Sequence, residues 1–361
     1  MTPHGHPIVG TFAIVFAAIA GLWVFDSFLE RMDRLETAAE ALRSFSAGQA
    51  LAAAGRNAEA VEQFQRALAI ARDNRDYQLA LANALLAVGK TNEAEATASH
   101  VLQHDSTDGS ANLTMARINL HEGDFEDAES YYHRAIYGHW PSDPAKTRTD
   151  VRLELIDRLS RRDLTRPDAR QELLAELLAV ESDVTDVATR KRLARFYLAA
   201  GSPSHSAQLF QTIVHERHND PDAYAGLGDA DLAQRNYRRA RTDFESALRY
   251  DRGDAAVRKR LDLTDEVLGL DPMILGLSAA QRLGRSALLL KLASDALTRC
   301  AGQNPSQEIA DLLGKSRVRR DRESDAMEAN MDLARDLWKA RSKVCGAVTE
   351  PERPLSLVLA E

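Results

Sequence analysis

The sequence predicts an all-α fold, a solenoid of stacked helical hairpins. Gly55, Gly89 and Gly123 stand 34 residues apart, and each is followed five residues later by an alanine, Ala60, Ala94 and Ala128. The same spacing returns with Phe210 and Phe244. The chain of 361 residues is 44% hydrophobic but only 6% aromatic. It is rich in Ala, Leu and Arg, which favour helices over strands. A strict period of this length marks repeated helical hairpins rather than one globular core.

The chain opens on an apolar run without charge, Ile8–Phe25, 18 residues long. As a helix it spans about 27 Å, the lower limit for crossing a bilayer. Trp23 and Phe25 stand near one end, where aromatic rings favour the membrane interface. Asp26, Glu30, Arg31, Asp33 and Arg34 then end the run. The expectation is an uncleaved transmembrane anchor within residues 1–26, a single-pass membrane protein held by residues 8–25. A cleaved signal peptide is the main alternative, because Ala18-Ile19-Ala20 resembles a cleavage site. A buried soluble helix is another. No Lys or Arg precedes the run, which speaks against a signal peptide. Arg31 and Arg34 lean towards a cytoplasmic body, but an exported body fits equally well and the side stays open. A linker helix follows over 27–40, with Phe28, Met32, Leu35 and Ala39 at helical spacing.

Repeat units are numbered from residues 41, 75, 109, 187 and 221. Position 15 is then Gly55, Gly89, Gly123 and Gly201. Position 24 is Phe64, Ala98, Tyr132, Phe210 and Phe244. Residues 41–142 thus hold three repeats and 187–254 hold two. The stretch 143–186 is a divergent, expanded hairpin with helices near Thr149–Ser160 and Pro167–Val180. Alanine at positions 8 and 20 lets the two helices of a hairpin approach closely. The aromatic ring at position 24 fills the gap beside them and buries ~150–250 Å². Glycine at position 15 ends the first helix in a left-handed conformation without a Cβ penalty.

This pattern resembles the tetratricopeptide repeat (TPR) family over roughly residues 41–253. The best match is Tyr224, Leu227, Gly228, Tyr237, Ala240, Phe244 and Ala247. The resemblance implies a scaffold for protein–protein interaction, here a membrane-anchored TPR protein of bacterial style.

Residues 255–347 read as a C-terminal helical cap and 348–361 as a tail. Ala255–Leu268 continues the array. Ser278 and Gln281 fit a capping box that opens a long helix towards Cys300. Further helices fit Glu308–Arg319 and Ala326–Val344, where Leu333, Leu337 and Trp338 form a packing stripe. The tail's Leu355, Leu357, Val358 and Leu359 are too apolar to be free; they fold back onto the cap or dock elsewhere. Cys300 and Cys345 are the only cysteines. They are either a packed thiol pair or, in an oxidising compartment, a disulfide.

Nothing in the sequence points to catalysis. There is no P-loop, nucleotide fingerprint, HExxH or nucleophile elbow, and Gly226-Leu227-Gly228 is the repeat's own motif. His100 with His104, and His215 with His218, could each share a helix face, but two ligands do not make a metal site. No catalytic residue, metal, cofactor or small-molecule substrate is expected. A net charge of -8 argues against a nucleic-acid coat.

In the TPR family, the first helix of each hairpin lines a concave groove. Carrying those positions over gives Phe45, Gln49, Leu79, Asn83, Leu86, Leu113, Arg117 and Leu120 in the first three units. Later units give Lys191, Arg195, Asp229 and Lys259, with Arg260 adjacent. The expected groove is apolar at its start and more basic farther on. It suits a protein segment with apolar anchors and acidic flanks. The Lys/Asn pattern of carboxylate-clamp TPRs is not matched. The expected function is therefore a scaffold or adaptor that binds a partner protein of unknown identity. Envelope assembly or secretion is a setting suggested by the family. A non-catalytic regulatory subunit of a membrane enzyme complex and an exported structural spacer are the alternatives.

Overall fold

The computed structural model describes residues 7–302, 305–317 and 325–360. Among them the chain forms seventeen α-helices and two short 3-10 helices. They fall into two compact units, Met1–Arg158 and Leu159–Glu361.

The first unit holds α1 (Pro7–Ala53), α2 (Asn57–Ile70), α3 (Arg75–Ala87), α4 (Thr91–His104), α5 (Gly109–Glu122), α6 (Phe125–Tyr137) and most of α7 (Pro144–Leu159). Successive helices pack in hairpins: α1 on α2, α3 on α4 and α5 on α6. Alternate helices also touch, α1 with α3 and α3 with α5. Each hairpin thus stacks on the one before it, as a repeat fold requires.

Residues 8–25 do not stand as a separate transmembrane element followed by a linker helix. They are the first part of α1, a continuous helix of 47 residues that runs through Asp26, Glu30, Arg31, Asp33 and Arg34 into the first repeat. Among the described residues no helix is long and apolar enough to cross a membrane. The single-pass membrane localisation, and the membrane contact it implied, are withdrawn with it. Residues 1–6 and most side chains between 7 and 24 lie outside the described set.

The second unit continues with α8 (Pro167–Val180), α9 (Val187–Ala199), α10 (Pro203–Glu216), α11 (Pro221–Ala233), α12 (Tyr237–Tyr250) and α13 (Ala255–Leu270). It closes with α14 (Ala279–Ala301), α15 (Gln307–Ser316), α16 (Ala326–Val344) and α17 (Arg353–Leu359). The capping box of Ser278 and Gln281 is present at the start of α14. The expected helix to Arg319 is seen to Ser316; Arg319 itself lies outside the described residues.

The terminal helices share a core of Leu289, Leu297, Leu313, Leu337, Trp338 and Leu355. The tail packs on α13 as well as on this core. Tyr237 Oη donates to the Leu357 carbonyl at 2.8 Å. Buried Glu352 accepts from Arg341 Nη2 at 2.6 Å and from Thr349 Oγ1 at 2.8 Å. Cys300 and Cys345 are joined as a disulfide with Cα atoms 5.5 Å apart, which ties the end of α14 to the end of α16. The sequence alone does not decide between thiols and this bond.

The helix breaks follow the repeat. Gly55, Gly89, Gly123 and Gly201 all have φ between +73° and +86°. In the unit from 221 that place is taken by Arg235, at φ 62°. Its side chain donates to the carbonyl of Ala360, which gives a non-glycine residue a reason to stand there.

In four of the five repeats the core of the hairpin holds an aromatic ring; in the unit from 75 Ala98 takes its place. Phe64, Tyr132, Phe210 and Phe244 are all fully or almost fully buried. A Cβ added to Gly228 would stand 2.6 Å from the Phe244 ring. Gly48 has the same relation to Phe64, at 2.6 Å. Gly228→Ala should therefore destabilise the protein by ~1–3 kcal/mol through overpacking. Gly284→Ala on α14, where an added Cβ meets nothing within 4 Å, should be neutral or stabilising by ~0.5–1 kcal/mol. Denaturant unfolding checks both; equal effects would contradict the packing account.

Candidate protein-binding groove

The groove residues expected from the sequence lie on the first helices of the hairpins, but the structure gives them different roles. In the first unit, Phe45 on α1 stacks on Tyr77 at 4.5 Å between ring centroids and tilts against Phe64 at 5.7 Å. It is half-buried. Gln49 and Asn83 are exposed, and Asn83 Nδ2 donates back to the Leu79 carbonyl at 2.8 Å. Leu79 is buried against Val101 and Ala111; it belongs to the core between hairpins. Leu86, Leu113 and Leu120 are half-buried.

Arg117 does not extend freely. Its Nε and Nη2 donate to the two carboxylate oxygens of Glu154 on α7, at 3.0 and 2.7 Å. Tyr132 Oη donates to the same carboxylate at 2.7 Å. Burial pushes Glu154 up, but the bonds from Arg117 and Tyr132 outweigh it and hold the carboxyl below its usual range. Burial, and then the bond to Glu154, raises the Tyr132 phenol. The bidentate pair fixes the guanidinium in one plane.

The second unit repeats the arrangement. Lys191 Nζ on α9 lies 3.0 Å from Asp220 and 3.0 Å from Asp222. Arg195 pairs with Asp222 as well. Burial lowers the Lys191 ammonium, but Asp222 and Asp220 more than reverse this. Burial likewise pushes Asp222 up, and its two cations bring it below the usual range. Asp229 pairs with Arg260 on α13, whose guanidinium also lies 5.6 Å from the centre of the Phe244 ring. Burial nonetheless leaves Asp229 raised. Lys259 is exposed.

Each of these pairs crosses one repeat step, from the first helix of a hairpin to the start or body of the next first helix. Arg75 with Asp108, the residue that caps α5, follows the same rule. Repeat position picks out the cations in the sequence but not their acids, Glu154, Asp220 and Asp222. The available signal was an opposite charge recurring about one repeat later. Apart from Lys259, the cations of the expected groove are therefore neutralised from within, while the half-buried apolar edges and exposed amides of the first unit remain.

One half-buried acid stands apart from these pairs. Asp243 on α12 hydrogen-bonds Asp231 on α11, and Asn236 Nδ2 donates to Asp231 Oδ1 at 3.1 Å. Burial, with the charge and hydrogen bond of Asp231, pushes Asp243 up to about 7, against an opposing effect of Arg239. The folded protein holds this proton more tightly than the unfolded chain, where the ordinary value is 3.8. Its contribution to stability is complete at low pH and is lost as pH rises through the folded value. Asp243→Asn should flatten the fall in Tm between about pH 4 and about pH 7; an unchanged slope would contradict the assignment.

A sequence model of the tetratricopeptide repeat matches residues 51–108. No curated protein sequence matches the chain. Among solved structures, the chain is similar to the C-terminal part of a TPR repeat-containing protein from Cytophaga hutchinsonii, at 14% identity and TM-score 0.47, covering 74% of this chain and 98% of that one. It is also similar to PilF of Pseudomonas aeruginosa, at 14% identity and TM-score 0.29, over 78% of this chain and 99% of that one. A third similar structure is the TPR2AB domain of yeast Sti1 in complex with pHSP90, at 13% identity and TM-score 0.29, over 84% and 99%.

Proposed function

We propose that this tetratricopeptide repeat protein is a scaffold or adaptor that captures a segment of a partner protein along the first helices of its N-terminal repeats. The observation that carries the reading is the residue set on α1, α3 and α5. The half-buried apolar edges of Phe45, Leu86, Leu113 and Leu120 accompany the exposed amides of Gln49 and Asn83. Apolar edges of this kind bury the anchors of an extended or helical segment, and amides supply donors and acceptors for its polar groups.

The cations play a second role. Arg117, Lys191 and Arg195 act only as members of ion pairs, so an acidic flank of the partner must exchange with Glu154 or Asp222. That exchange is nearly balanced and screened by salt. Apolar anchors then set affinity, and the charges select among partners.

An exported structural spacer is the second reading, and the Cys300–Cys345 disulfide favours it because such bonds persist in oxidising compartments. Photo-crosslinking residues at Gln49 and Asn83 separate the two. The adaptor should yield one dominant crosslinked partner from these positions. Glu62 and Glu95, exposed on α2 and α4, should yield none. Crosslinks to the same protein from all four positions, or from none, would contradict the groove.

A further inference from the structure

Every side chain from Phe25 to Glu40 on α1 is exposed. Several are large and apolar: Phe25 is 59% exposed, Phe28 57%, Met32 51% and Leu35 61%. Leu42, about two turns beyond Leu35, is 56% exposed. A helix that leaves such a row in water without a partner is costly, since large apolar side chains are stabilised by removal from water.

The order of the row says what covers it. Phe25, Phe28, Met32, Leu35, Ala39 and Leu42 follow one another in alternating steps of three and four residues. That is a period of 3.5, the seam of a left-handed coiled coil, rather than the broader stripe of a helix packed on a globular core. Phe25, Met32 and Ala39 take the a positions; Phe28, Leu35 and Leu42 take d. The outer b, c and f positions are polar up to Glu40, with Asp26, Glu30, Asp33, Arg34 and Thr37; the next c position, Ala41, is buried in the first repeat. Arg34 pairs with Glu30 along this outer side of its own helix.

The flanking charges set direction and partner. Arg31 stands at g and Glu36 at the e position five residues later. In a parallel, in-register pair, g of one helix faces that e of the other. Arg31 of each copy then meets Glu36 of the other, twice by symmetry. The seam also leaves the repeats undisturbed, because Ala41, Phe45 and Gly48 turn a different face of α1 onto its neighbours.

We infer that residues 25–42 of α1 pair with the same segment of a second copy of this chain as a parallel two-stranded coiled coil. The full-length protein tests this. The native cysteines are already joined to each other, so one introduced cysteine reports cleanly. Under mild oxidation, Phe28→Cys should give a covalent dimer several-fold faster than Thr37→Cys on the outer side. Analytical ultracentrifugation should give a dimer for the parent chain. Arg31→Glu should weaken it, and Arg31→Glu with Glu36→Arg should restore it, each with unchanged helicity. A monomeric parent chain would overturn the inference, as would equal crosslinking at 28 and 37, which marks unspecific association. Slow crosslinking at 28 in a dimeric chain would overturn it too, since that places the helices antiparallel.

Discussion

The seating of one aromatic ring on a side chain too small to keep it away governs the rest of this structure. Phe64 rests on Gly48 and Phe244 on Gly228, and the Phe210 ring lies where a Cβ of Gly226 would be, 2.2 Å from it. This contact sets how closely the two helices of a hairpin lie and, through Phe210 and Gly226, how closely the next hairpin follows; every later contact inherits that spacing. The tight turn at position 15 becomes necessary, because the chain must reverse within a few residues. The next hairpin is then brought to a fixed offset, and side chains one repeat apart meet. Ring burial supplies the energy; the small residue supplies the geometry. A solenoid built this way gains stability step by step from nearest neighbours rather than from one central core.

The ion pairs depend on that geometry and in turn refine it. Arg75–Asp108, Arg117–Glu154, Lys191–Asp220 and Asp229–Arg260 all bridge consecutive first helices. Taken one at a time, partly exposed pairs contribute little. Their joint effect is on register, because a hairpin shifted along its neighbour separates charge partners at several points. They also determine what the groove offers. A row of cations would attract any acidic segment. Cations already engaged by carboxylates admit only a partner that replaces those carboxylates, which makes the surface selective at the expense of attraction.

Much of the fold was legible because the repeat imposes the same demand at fixed positions. The glycines at position 15 all adopt the left-handed turn, and α8 and α16 begin and end where sequence places them. Arg235 was not legible as a left-handed residue, since the bond that favours it comes from the distant Ala360. Leu79 was assigned to the groove by position, yet its neighbours Val101 and Ala111 draw it into the core. Glu154 escaped notice because it lies in the divergent stretch where the period fails. The apolar run at the start of the chain was misjudged for another reason. Length and hydropathy of a window do not reveal that the helix continues unbroken to Ala53.

The central claim is that a ring in one hairpin holds its neighbours and not the whole molecule. Hydrogen exchange followed by mass spectrometry on full-length Phe244→Ala tests it most directly. The account predicts a loss of protection concentrated in α11, α12 and α13, with α2 to α5 exchanging as in the parent protein. A uniform loss along the chain, or no loss in α11 to α13, would contradict it.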